Sequence, residues 1–131
     1  MGAFARNFDQ PEDAMRFANG EERFLHVLGV KVGLATFEPG WRWTNDVRPL
    51  IGTDTCPVHH AGYMLSGRLH VEFTDGSTLD VSGGDACDIP PGHDAWVVGD
   101  EPCVLLDWGG KARDDVAAAE QPAMVADSAA R

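Results

Sequence analysis

The sequence predicts an all-β protein, a single-domain antiparallel sandwich or barrel. Two observations carry this. Short apolar runs alternating with period two recur about every 8 to 12 residues, with turn residues between them. The 15 Gly and 8 Pro among 131 residues exceed ordinary usage and favour many turns. Long helices are absent from the pattern. The length suits one domain, and an apolar fraction of 44% suffices for one core.

Residues 1–20 are polar and irregular. Pro11 followed by Glu12 and Asp13 would suit one helical turn. The better reading is an extended arm whose Phe4, Phe8 and Phe17 pin it to the barrel exterior or to a second subunit. The barrel core is expected over about residues 24–108. Its first strands are Phe24–Leu28 and Val30–Phe37, the second alternating through Val30, Val32 and Leu34. Pro39-Gly40 marks a turn into Trp41-Arg42-Trp43, where the two Trp share one strand face. They form barrel or dimer packing, or the aromatic wall of a ligand pocket. Residues 44–55 read as a loop.

A strand from His59 to Leu65 ends at Ser66-Gly67. Leu69, Val71 and Phe73 then point inward, with His70 and Glu72 outward. Asp75-Gly76 makes a hairpin, and Leu79 and Val81 continue the alternation on the return strand. Residues 86–89, 93–98 and 103–108 form the last strands, separated by Pro90-Pro91-Gly92 and Gly99-Asp100-Glu101-Pro102. Domain 1–110 thus comprises the barrel and its arm. Residues 111–131 are Ala-rich and read as a frayed, flexible tail.

The net charge is −11, from 21 acidic and 10 basic residues. Such a surface repels phosphate backbones and anionic lipid, arguing against nucleic acid and membrane partners. No run has the length of a signal peptide or a bilayer span, so a cytoplasmic location is expected. Three cysteines do not make a disulfide framework. Cys87 and Cys103 lie in strand-like runs as small core residues; Cys56 stands near a histidine.

Cys56-x3-His60 and His93 can supply three metal ligands. Thiolate and imidazole suit zinc, and imidazole suits iron or nickel. Of the adjacent His59 and His60 only one can face the interior of an extended strand. His93, Ala95 and Val97 share a face. The competing reading makes His60 and His93 buried neutral histidines bonded to each other, to backbone or to Asp54.

These residues resemble the cupin superfamily over roughly residues 30–108. The first cupin motif runs His-x-His, three or four residues, Glu, six residues, Gly. With Gly67 as its glycine, His60 takes the Glu position, and Cys56 and Asp54 fall where the two His would stand. The second motif runs Gly, five residues, Pro-x-Gly, two residues, His. Gly84, Pro90 and Gly92 match it, but Ala95 takes the His position and His93 lies two residues earlier on the same face. The run Pro-Gly-His-Asp-Ala-Trp-Val-Val-Gly-Asp-Glu-Pro at residues 91–102 also resembles a bacterial cupin subgroup.

The resemblance implies a jelly-roll barrel with an interior site for one divalent transition metal or a small molecule, and no organic cofactor. With Gly67 setting the register, His60 rather than His59 faces inward, joined by His93 and Cys56. Three protein ligands leave a position open, the catalytic arrangement. A metal-dependent oxygenase, isomerase or lyase on a small organic substrate is one expectation. Another is a metal-free ligand-binding or sensor module holding its ligand between Trp41, Trp43, Tyr63 and Met64. A third is a structural dimerisation domain. Unpaired strand edges and the aromatic arm predict a homodimer.

Overall fold

Alternation of apolar and polar residues builds two antiparallel sheets whose inner faces pack together. The computed structural model describes residues 2–109; the expected tail at 111–131 lies outside the described residues. Its strands are β1 (Asp13–Phe17), β2 (Gly20–Val27), β3 (Val30–Phe37), β4 (His60–Ser66), β5 (Arg68–Phe73), β6 (Thr78–Ser82), β7 (Ala86–Ile89), β8 (His93–Val97) and β9 (Cys103–Asp107). Two helical turns, α1 (Trp43–Asp46) and α2 (Arg48–Ile51), lie between β3 and β4. The larger sheet has the order β1-β2-β3-β9-β4-β7 and the smaller β6-β5-β8. The jelly roll is therefore a two-sheet sandwich rather than a barrel closed by one continuous ladder. No described helix is long and apolar enough to cross a membrane.

The core follows the period-two pattern. Met64, Val71, Val81 and Cys103 are fully buried. Burying one such aliphatic side chain stabilises by about 1.5–3 kcal/mol. Leu69 and Val71 face the core, Phe73 is half-buried, and Glu72 is exposed. His70 lies on the outer face, half-buried against the Trp96 ring at 4.7 Å and bonded to Asp80 at 2.6 Å. β5 and β6 pair from Arg68↔Ser82 to Glu72↔Thr78, and Asp75 closes their hairpin by accepting from the Ser77 amide at 2.9 Å. Gly67 is required twice over. Its φ is +88°, and a Cβ there would lie 2.4 Å from the Pro102 carbonyl oxygen.

Three local expectations are corrected. The N-terminal segment is not an arm throughout: residues 13–17 form β1, paired with β2 from Asp13↔Phe24 to Phe17↔Gly20. Phe17 packs among the core aromatics, 6.1 Å from Phe37, and the helical signal at Pro11 is overridden by this pairing. Ahead of β1, Phe8 accepts a hydrogen bond from Arg23 through its carbonyl at 3.2 Å. The second correction is that residues 44–55 are not all loop, because α1 and α2 occupy most of them. Pro49 sits in the first turn of α2, where its missing N–H costs nothing. Finally, Trp41 to Trp43 makes no full strand, only a bridge from Arg42 to Trp96.

The helical turns are fastened to β8 through Asp94. It accepts from the Thr44 amide at 3.1 Å and from Arg42 Nε at 2.9 Å. Burial opposes its charge, but these donors hold its carboxyl below the usual carboxylate range. Trp41 and Trp43 are thereby buried over one end of the sandwich.

Candidate metal centre

Cys56, His60 and His93 converge at one end of the sandwich. One donor atom from each lies within 4.8 Å of the others. His60 opens β4 and enters the interior, while His59 turns outward to Asp88. His93 opens β8 directly after Gly92, whose φ of +94° makes the turn that aims it. Cys56 is placed by an isolated bridge: its amide donates to the His93 carbonyl and its carbonyl accepts from the Gly92 amide, both at 2.9 Å.

Each imidazole is oriented by a partner on Nδ1. His93 Nδ1 donates to the Pro90 carbonyl at 2.7 Å. His60 Nδ1 lies 2.6 Å from Asp107 Oδ2, and His60 Nε2 lies 3.5 Å from Cys56 Sγ. These bonds leave Nε2 as the donor atom of each ring, the arrangement that outer-shell carboxylates and carbonyls impose on metal-ligating histidines. Burial works against a Cys56 thiolate, but hydrogen bonds and charge from His60 and His93 prevail and bring it down to about 6. Burial likewise opposes a charged His60, but Asp107 and Cys56 raise it to about 10. One thiolate and two imidazoles this close suit a divalent transition metal, whose donors in a tetrahedral zinc site stand about 3.5 Å apart.

The centre forms part of the wall of an inner cavity of about 150 Å³. A wider cavity of about 670 Å³ shares Met15, Glu22, His60 and Asp107 with it and makes its vestibule. Burial, reinforced by the charge of Asp107, pushes Glu22 up to about 7.

No family model and no curated protein matches the sequence. Solved structures do. Ectoine synthase from P. lautus superposes with a TM-score of 0.58 at 13% identity, over 90% of this chain and 86% of that one. Bacillus subtilis oxalate decarboxylase, a protein with Mn(II) centres, gives 0.53 at 23% identity over 79% of this chain. This chain spans only 28% of that enzyme. A protein of unknown function from Acidithiobacillus ferrooxidans gives 0.52 at 18% identity, covering 73% and 85% of the two chains.

The fold is that of the cupins.

In this chain, Ala95 leaves the position that corresponds to the histidine of the second cupin motif without a donor, and His93 stands on the same inner face of β8. Asp54, at the first histidine position of the first motif, pairs with Arg48 instead. Trp41 and Trp43 line the inner cavity. The other two expected pocket residues do not. Tyr63 is 40% exposed on the outer face of β4, and Met64 is buried deeper in the core. Adjacent strand residues point oppositely, so Tyr63 and Met64 could never have shared one pocket wall.

Two functional groups were missed in the sequence. Asp107 is an acid at an inward position of an apolar strand, two residues beyond buried Leu105, and that break in the alternation was its signal. Glu22 had no local signal. Its space comes from Gly33 on β3, where a Cβ would lie 2.1 Å from Glu22 Oε2.

Proposed function

We propose that this chain is a metal-dependent cupin enzyme acting on a small organic substrate, with Cys56, His60 and His93 holding one divalent ion, zinc by preference. The observation that carries the reading is the pair of Nδ1 bonds, from His60 to Asp107 and from His93 to the Pro90 carbonyl. They point two Nε2 atoms at one thiolate. Thiolate in the donor set favours zinc over metals that prefer carboxylate and water. Three protein ligands leave a position open beside the inner cavity, and a bound metal supplies a Lewis acid there. Asp107 keeps the His60 proton on Nδ1 and fixes the ring. The aromatic and aliphatic walls exclude water from the site.

The cavity limits the substrate. A space of about 150 Å³ accommodates roughly a benzene-sized molecule. The named cupins of similar fold, ectoine synthase and oxalate decarboxylase, support small-molecule chemistry as a class. An oxalate-like dianion does not suit this cavity, because no Lys or Arg among the described residues lines it.

A second reading draws on the same line of atoms. Cys56 Sγ, His60 Nε2 and Asp107 Oδ2 stand in the order of a thiol nucleophile, its base and an orienting carboxylate. Elemental analysis of protein purified without affinity tag or added metal separates the two. One zinc per chain, lost in His60→Ala, supports the metal centre. Metal-free protein that hydrolyses a small activated ester, with the activity lost in Cys56→Ser, supports the thiol. Absence of both leaves a ligand-binding module.

A further inference from the structure

The inner cavity pairs aromatic walls with acidic groups; among the described residues no Lys or Arg lines it, and the one charged imidazole, His60, is already engaged by Asp107 and Cys56. Phe17, Phe37, Trp41 and Trp43 contribute rings to its lining, and Glu22 and Asp107 contribute carboxyls. Trp41 stacks on Phe37 at 4.0 Å and lies 6.3 Å from Phe17, so these rings form one continuous surface. Among the described residues the single lysine, Lys31, lines only the vestibule, where it is engaged by Asp13 at 3.6 Å and lies over the Phe24 ring.

The two carboxyls are not equivalent. Asp107 is committed, accepting from His60 Nδ1 at 2.6 Å and from the Gly109 amide at 2.9 Å. Glu22 accepts no hydrogen bond among the described residues; burial and neighbouring charges alone act on it. It nevertheless has a cradle, since only a glycine at position 33 leaves room for its Oε2. A carboxyl held at a cavity wall without a protein donor is a group waiting for one. Charge counting agrees. A divalent ion at the centre is neutralised by the Cys56 thiolate and Asp107, which leaves Glu22 uncompensated.

We propose that the inner cavity recognises a small organic cation of the alkylammonium type, held against the Trp41 and Trp43 side of the cavity with Glu22 as its counter-charge. Aromatic faces attract cations through their quadrupole, and the attraction grows when the cation is desolvated, as it would be here. The net charge of −11 draws cations toward the protein as a whole. This names the substrate class of the metal-centred reading and rests on it for turnover. Recognition of the cation is separable from the metal.

The test is a binding titration on the full-length, chelator-treated protein at pH 8, followed by tryptophan fluorescence and calorimetry. Tetramethylammonium is the probe, because it cannot ligate a metal. Its neutral isostere tert-butanol and the anion pivalate are the controls. Tetramethylammonium is expected to saturate one site at least fivefold more tightly than tert-butanol, with pivalate weakest. Glu22→Gln should reduce that preference to less than twofold while tert-butanol binding stays within twofold. A smaller preference in the parent protein, tighter binding of pivalate, no saturable site for tetramethylammonium, or a preference that survives in Glu22→Gln overturns the proposal. Zinc content is measured separately on untreated protein, so loss of the metal reading and loss of cation recognition give different results.

Discussion

Asp107 Oδ2 stands 2.6 Å from His60 Nδ1, across 47 residues of sequence, and this contact decides which nitrogen of His60 faces Cys56. Without it the ring could rotate and present either nitrogen. Asp107→Asn should therefore weaken metal affinity by about 10- to 100-fold, the usual effect of losing an outer-shell partner. Competition against a chromophoric chelator measures it. Affinity within twofold of the parent protein would remove Asp107 from the metal centre.

The two adjacent histidines should separate cleanly. A metal at a hundredfold excess over its dissociation constant stabilises the fold by about 2.7 kcal/mol. His60→Ala should abolish both the bound metal and that stabilisation. His59→Ala, which removes only the outward pairing with Asp88, should retain them. Thermal melts with and without metal give the comparison, and equal behaviour of the two variants counts against the centre as built here.

Strand register predicts a similar contrast one turn of the pleat further on. Met64 is fully buried and Leu65 is 51% exposed. Met64→Ala should cost about 2–5 kcal/mol, and Leu65→Ala no more than about 0.5 kcal/mol. Urea denaturation resolves the difference. Equal costs would mean that β4 is rotated from the position described.

Glu22 carries a pH signature in the metal-free protein. Its pKa is raised from 4.5 to about 7, so the folded chain holds a proton that the unfolded chain releases. The associated stability is complete below about pH 4.5 and is lost as pH rises through 7. Glu22→Gln should consequently melt higher than the parent above pH 7.5, by an amount on the order of 1 kcal/mol after solvent screening. The advantage should shrink to nothing by about pH 4.5. A difference independent of pH would show that packing, not charge, sets the effect.

The buried indole of Trp41 offers a further check. Its Nε1 has no hydrogen-bond partner among the described residues, a deficit that costs about 1–3 kcal/mol. Trp41→Phe deletes the unpaired N–H along with part of the ring, so the two effects oppose each other. It should destabilise by clearly less than the roughly 3–5 kcal/mol of a Trp→Ala truncation. Trp41→Ala and Trp41→Phe compared by denaturation decide it, and equal losses would mean that the N–H is not a liability.

The strands from β3 onward and the Asp75-Gly76 hairpin were legible in the sequence. Each depends on the two-residue alternation of an extended chain or on turn chemistry, and both are local properties. β1 escaped because its inward pair, Met15 and Phe17, is too short a pattern to outweigh the helical signal at Pro11. The turns α1 and α2 escaped because Asp94, on a strand about 50 residues later, fastens the segment before and into α1.

The site itself was decided by tertiary structure. The sheet order inserts β9 between β3 and β4, so Asp107 pairs in register with Gly33 on one side and Gly62 on the other. That row brings an acid from the end of the chain to the His60 imidazole and leaves the gap at Gly33 that Glu22 fills. The sequence alone determined an all-β antiparallel fold and three metal-ligand candidates, because alternation and residue chemistry are written residue by residue. Which acids orient those ligands, and which carboxyl is left free to meet a substrate, depends on strands distant in the sequence becoming neighbours, and only folding settles that.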